Sequence, residues 1–252
     1  MLNQVKSKLA AGQVVVGSFV YVPSAELTEI IGMLGFDFVV IDMEHGPIDT
    51  KVAGDMVRAA ELAGVTPIIR VTHNAQPLIL RALDIGALGV HVPNVNETHE
   101  AQAAVASVKY PPQGKRGLAN VRAARYGLSG SLPEYTKDAN QQTMLIAHIE
   151  DVRAVENLDA LLAVNGIDVY YLGPVDLSAS MGIPGQAKDP RVSGMVADSI
   201  KRIAAAGRIA GCIAADADTA RRYVDLGARY IASHAIQFMT KASRQFIEEV
   251  RK

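Results

Sequence analysis

The chain has 252 residues, 49% of them hydrophobic, and carries 25 Lys and Arg against 26 Asp and Glu, a formal net charge of −1. That is enough apolar material for a full core, and the balanced charge, without runs of one sign, argues against nucleic acid and anionic membrane as partners. The lone Cys212 excludes an internal disulfide, and no secretion signal or membrane-length apolar run is visible, so a cytoplasmic enzyme is expected.

Short apolar runs predict eight strands: Val14–Phe19, Phe38–Ile41, Thr66–Val71, Gly89–Val92, Met144–Ile149, Val169–Leu172, Ile209–Ile213 and Tyr230–Ser233. Amphipathic runs alternate with them. Ser24 caps a helix with Leu27, Ile30, Ile31 and Leu34 on one face, stopped by Gly35. Val155, Leu158, Leu161 and Leu162 form another stripe, and Asp216 caps a segment carrying Ala220, Tyr223, Val224 and Leu226, stopped by Gly227. Strand–helix alternation predicts an α/β fold with a parallel sheet. Eight repeats in a chain of this length point to one (β/α)8 TIM barrel domain over residues 1–252, with an open doubly wound sheet as the alternative. The stretch Lys109–Tyr135 is too long for a routine connection and marks function or a subunit contact.

Barrel active sites lie at the C-terminal ends of the strands. There the sequence places Asp42, Glu44 and His45 after strand 2, Arg70 at the end of strand 3, Glu150 after strand 5 and Asp176 after strand 6. Glu150 and Asp176, at matching places on neighbouring strands, suit one shared divalent cation; a helix cap and an Arg partner are the ordinary alternative. Asp42 and His45 suit an oriented acid–base pair, against a capping Asp and a packed His. Glu44 is expected in a supporting role or a surface salt bridge. Arg70, inside an internal strand, needs an anion: substrate, or a structural carboxylate. No strand ends in Lys, so a Schiff-base aldolase lacks its nucleophile, and no nucleotide-binding glycine motif is present. Packing or surface positions are expected of Cys212, His73, His91 and His234.

The motifs DMEHGPID, PIIRV, LDIGALGVHVP, KYPPQGKRG, HIED and LGPVDLSASMG, in this order, resemble the metal-dependent (class II) pyruvate aldolases, which include 4-hydroxy-2-oxoheptanedioate and 2-dehydro-3-deoxyglucarate aldolases. The likeness runs from about Gly17 to Gly182. It implies a phosphoenolpyruvate/pyruvate-type barrel that cleaves a 4-hydroxy-2-oxo acid reversibly to pyruvate and an aldehyde, with a semialdehyde favoured. It further implies Mg²⁺, or Mn²⁺ or Co²⁺, on Glu150 and Asp176; Arg70 on the pyruvate moiety; His45 with Asp42 as acid–base pair; and the Val175 and Asp176 N–H groups on the pyruvate carboxylate. Asp84 matches an aspartate that reaches a neighbouring subunit's site, so a homohexamer is expected. Two positions depart from the pattern. His148 replaces the usual Gln, where it could meet pyruvate or become an extra metal ligand, and IASHAI replaces a Gly-Ser-Asp-like end of strand 8. Acyl-CoA lyase chemistry, with Lys115, Arg116, Arg122 and Arg125 as a docking surface at the mouth, and a non-catalytic pyruvate-binding barrel remain as alternatives.

Overall fold

The computed structural model describes residues 2–252. Eight parallel strands pair in chain order: β1 (Val15–Val20), β2 (Phe38–Asp42), β3 (Thr66–Arg70), β4 (Gly89–Val92), β5 (Met144–Ile149), β6 (Val169–Leu172), β7 (Ala210–Ile213) and β8 (Tyr230–His234). β8 pairs back onto β1, closing the barrel and excluding the open sheet. Apart from the exposed Val16 on β1, the strands are covered on both faces, so each reads as a largely apolar run, and the expected boundaries hold to within one residue.

Alternation along the strands divides the core in two. Phe19, Phe38, Val40, Ile68, Met144, Ile146, Val169 and Tyr171 fill the barrel interior. Val39, Ile41, Ile69, Val90, Leu145, Ala147, Ile149 and Leu172 face outward, into the layer beneath the helices. The same period of two carries Asp42, Arg70, His91 and His148 into the interior at the upper end.

The described residues form twelve α-helices around and beneath the strands: α1 (Gln4–Ala10), α2 (Ala25–Met33), α3 (Thr50–Leu62), α4 (Gln76–Asp84), α5 (Thr98–Val108), α6 (Leu132–Gln142), α7 (Val152–Glu156), α8 (Leu158–Leu162), α9 (Pro174–Ser180), α10 (Pro190–Ala205), α11 (Ala217–Asp225) and α12 (Ala235–Val250). Ser24 and Asp216 cap α2 and α11 as expected, accepting from Leu27 N and Thr219 N. The stripe from Val155 to Leu162 breaks at Asn157 into two short helices. The sequence reading missed α1, which plugs the lower end of the barrel with Val5 and Leu9. Among the described residues no helix is long and apolar enough to cross a membrane.

The long segment after α5 folds over the face opposite the mouth. Arg116 Nη2 donates to Asp84 Oδ1 at 2.9 Å, and Arg122 binds Glu61 and the Ile85 carbonyl, all at the C-terminal ends of α3 and α4. A 3₁₀ turn, Arg122–Gly127, holds Arg125 and Tyr126 at φ 49° and 56°.

Gly17 shows how tightly the interior is filled. It pairs in register with Phe38, whose ring stacks on Tyr230 with centroids 4.1 Å apart. A Cβ on Gly17 would fall 2.2 Å from that ring. We expect Gly17→Ala to cost about 1–3 kcal/mol by overpacking, seen as a lower denaturant midpoint at an unchanged slope; an unchanged midpoint would contradict this packing.

Candidate active site

The mouth is organised around a buried guanidinium. Asp42 and Arg70 stand in register on β2 and β3 and point inward. Arg70 Nε donates to Asp42 Oδ1 at 2.8 Å, and its Nη2 donates to the other carboxylate oxygen, making a two-point pair. Nη1 lies 3.1 Å from Glu44 Oε2, and the guanidinium sits 5.1 Å from the Phe19 ring centre. Burial opposes ionisation of Asp42, but the hydrogen bonds and charge of Arg70, with the His45 and Glu44 backbone N–H groups, outweigh it and hold the carboxyl below its usual range. Glu44 is held above its range, first by burial.

Glu150 follows β5, is 5% exposed, and is anchored at both oxygens. Asn94 N donates to Oε1 and His148 Nδ1 lies against Oε2, each at 2.9 Å. Burial resists its ionisation, yet the neighbouring His148 imidazole and these bonds keep it below the ordinary range. Asp176, in the first turn of α9, is pushed upward by burial and then by Glu150. Both carboxylates overhang bare Gly173. A Cβ there would lie 2.9 Å from Glu150 Oε2 and 3.7 Å from Asp176 Oδ2. Glycine thus leaves room between two hard oxygen donors, an arrangement that fits a divalent cation. Among the described residues no cluster of three or more His, Cys, Asp or Glu side chains suits a metal, so two carboxylates would be the side-chain share.

Several expected residues are placed differently. The Asp42 and His45 side chains do not meet: Asp42 is taken by Arg70 and accepts from the His45 backbone N–H at 3.3 Å, because the chain turns immediately after β2. The exposed His45 ring has Glu44, at 4.0 Å, as its nearest carboxylate. Glu44 is therefore part of the mouth and no surface pair. His148 has both ring nitrogens engaged, by Glu150 and by His91 Nδ1 at 2.8 Å, leaving neither for pyruvate or a metal. His91 packs among Phe19, Tyr171 and Tyr230, as expected, and is hydrogen-bonded as well, its Nε2 lying 2.8 Å from the Tyr230 hydroxyl. The inward period of two along β4 and β5 was the available signal for that contact. His234 closes the mouth on the β8 side with Nδ1 buried and unpartnered. Asp84 and the arginines at 116 and 122 face the opposite end of their own barrel, so they form no docking surface at its mouth. Val175 N and Asp176 N lie in the first turn of α9, where helical N–H groups have no acceptor within the helix.

Residues 16–238 match the HpcH/HpaI aldolase/citrate lyase family. A pyruvate aldolase of Rhizobium etli is 38% identical over 232 residues, covering 92% of this chain and 90% of its own. A 5-keto-4-deoxy-D-glucarate aldolase of Salmonella paratyphi C is 35% identical over 250 residues, covering 99% and 97%. The crystal structure of a family protein from Burkholderia cenocepacia superposes with a TM-score of 0.93 at 32% identity, covering 99% of this chain and 100% of that one. The chain belongs to the HpcH/HpaI aldolase/citrate lyase family. It is a carbon–carbon lyase of the aldolase kind.

Asp42→Asn would leave Arg70 in a buried site with Glu44 as its one carboxylate partner. We expect a loss of about 3–5 kcal/mol on denaturant unfolding. Because the folded carboxyl is depressed, its stabilisation is present above the unfolded value of about 4 and fades as pH falls through the lower folded value. The variant should therefore lose stability less steeply than wild type below about pH 4, and superimposable acid limbs would contradict the pairing.

Proposed function

We propose that the chain catalyses reversible retro-aldol cleavage of a 4-hydroxy-2-oxo acid to pyruvate and an aldehyde, favouring a semialdehyde, in a phosphoenolpyruvate/pyruvate-type barrel in the cytoplasm. The observation that carries this reading is the pair Glu150 and Asp176 over bare Gly173, at the same mouth as the buried Arg70. Burial and Glu150 push Asp176 toward its protonated form, a strain that a cation would relieve.

Bound there, a divalent cation (Mg²⁺ first, Mn²⁺ or Co²⁺ as alternatives) would supply positive charge to the substrate's 2-oxo group. The chain's own groups perform the remaining steps. The free N–H groups of Val175 and Asp176 receive the pyruvate carboxylate; Pro174 cannot donate. Arg70, fixed by Asp42, directs its guanidinium at the oxygen that becomes negative. His45 takes the proton of the 4-hydroxyl from the open side of the mouth, with Glu44 beside it. The bond between carbons 3 and 4 breaks, the aldehyde carbonyl forms, and the released electron pair becomes the pyruvate enolate. His148 acts by holding Glu150, not by touching substrate.

Exposed apolar side chains support an assembly. Leu118, Tyr126 and Leu128 of the long segment and Phe238, Met239, Phe246 and Val250 of α12 are solvent-facing in the single chain. A homohexamer that brings Asp84 to a neighbouring mouth is the assembly we propose.

The deciding assay mixes pyruvate with a panel of aldehydes, with and without chelator, and reads products by mass. We expect 4-hydroxy-2-oxo acids with Mg²⁺ and none after chelation. His45→Ala should slow turnover on the order of 10²–10³ with the fold intact, and Arg70→Ala should slow it by as much while also lowering the denaturant midpoint, because Asp42 is left buried without its partner. Chelator-insensitive turnover, or products formed only from acyl-CoA, would overturn the proposal.

A further inference from the structure

Four buried side chains form a hydrogen-bonded line across the barrel interior. The Tyr230 hydroxyl lies 2.8 Å from His91 Nε2, His91 Nδ1 lies 2.8 Å from His148 Nε2, and His148 Nδ1 lies 2.9 Å from Glu150 Oε2. Each of the four residues is at most 5% exposed. They come from β8, β4 and β5 and the residue after β5. His91 pairs in register with Ile146, so His148 stands two residues higher on the same inner face.

Chemistry gives this line a direction. A neutral imidazole has one N–H donor and one bare acceptor. An ionised Glu150 only accepts, so His148 carries its hydrogen on Nδ1 and presents Nε2 as an acceptor. His91 must then donate from Nδ1 and accept at Nε2, from the Tyr230 O–H. The reverse direction would strand the Tyr230 hydrogen, because His91 is the hydroxyl's one partner among the described residues. Burial above all pushes His91 well below its usual value, in keeping with a neutral ring. The oxygen at the end of the line, Glu150 Oε2, is also the one that overhangs Gly173.

We propose that Tyr230 and His91 are positioning residues: the hydroxyl fixes the tautomers of both imidazoles, so that His148 gives Glu150 a donor and holds its carboxylate in the pose that receives the cation. The cation half of this inference rests on the function proposed above; the tautomers do not. An imidazole at 148 needs such a line because it has two tautomers. An amide would donate to Glu150 from either environment. Residues 91, 148 and 230 are thus one unit, and loss of the far hydroxyl should reach the carboxylate only while position 148 is a histidine.

Two measurements on the full chain test this. Long-range ¹⁵N spectra of metal-free protein should show His91 and His148 protonated on Nδ1 and bare on Nε2. Mn²⁺ binding without substrate, by calorimetry or electron paramagnetic resonance, should weaken about tenfold in Tyr230→Phe, a change that keeps the ring stacked on Phe38. The same substitution in a His148→Gln background should leave Mn²⁺ affinity within about twofold, since the relay is then absent. Nε2-protonated rings in wild type, unchanged affinity in Tyr230→Phe, or an equal loss in both backgrounds would each overturn the proposal. Expected tautomers in a wild-type protein that binds no Mn²⁺ would remove the cation reading and this role with it. Wrong tautomers with Mn²⁺ bound would remove the relay alone.

Discussion

Burial of the Arg70 guanidinium is the constraint from which the mouth of this barrel follows. A planar cation inside a packed strand layer is tolerable only when its donors are met, and Asp42 and Glu44 meet them. That requirement makes Asp42 the two-point partner of Arg70, with its carboxyl held below the usual range. It also ties the turn after β2 to β3, because the same carboxylate accepts from the Glu44 and His45 backbone. All three guanidinium nitrogens thus have a carboxylate partner.

Opposite this cation the barrel sets two acids over a residue with no side chain. Had Gly173 carried a Cβ, the space between Glu150 and Asp176 would be filled. In the proposed reaction, positive charge from Arg70 and from a cation at Glu150 and Asp176 would support the enolate oxygen, and the guanidinium and the two carboxylates stand in place before substrate arrives. Beneath them Phe19, Tyr171 and Tyr230 pack around His91, with Phe38 stacked on Tyr230, so the acids stand on a closely packed floor. In this arrangement stability and chemistry draw on the same residues. Asp42 and His148 support the groups that act.

Much of this was legible in the sequence, for identifiable reasons. Doubly covered parallel strands give uninterrupted apolar runs, so all eight could be read with their ends. Caps at Ser24 and Asp216 are local signals and held. The first turn of α6 fell within a segment read as irregular, although Ser131 and Glu134 form a capping box that announces its start. The helical stripe around Leu158 concealed a break because hydrophobic spacing persists across Asn157. Convergence of Asp42, Arg70, Glu150 and Asp176 followed from strand ends alone. What could not be read was direction within the turn after β2: the Asp-x-x-His spacing suggested a side-chain pair, whereas the turn delivers the His45 backbone N–H and sends the ring outward. Nor did sequence reveal that His91 and His148 touch, since that contact depends on register between β4 and β5.

The account stands on one physical statement, that Arg70 and a cation at Glu150 and Asp176 together stabilise the enolate of pyruvate. Exchange of the pyruvate methyl protons in D₂O, followed by proton magnetic resonance with no aldehyde present, isolates that step. The account predicts exchange with Mg²⁺-loaded enzyme, its loss on chelation and its recovery when Mg²⁺ is returned. Exchange that proceeds undiminished in chelator, or that persists in Glu150→Gln at the wild-type rate, would contradict it.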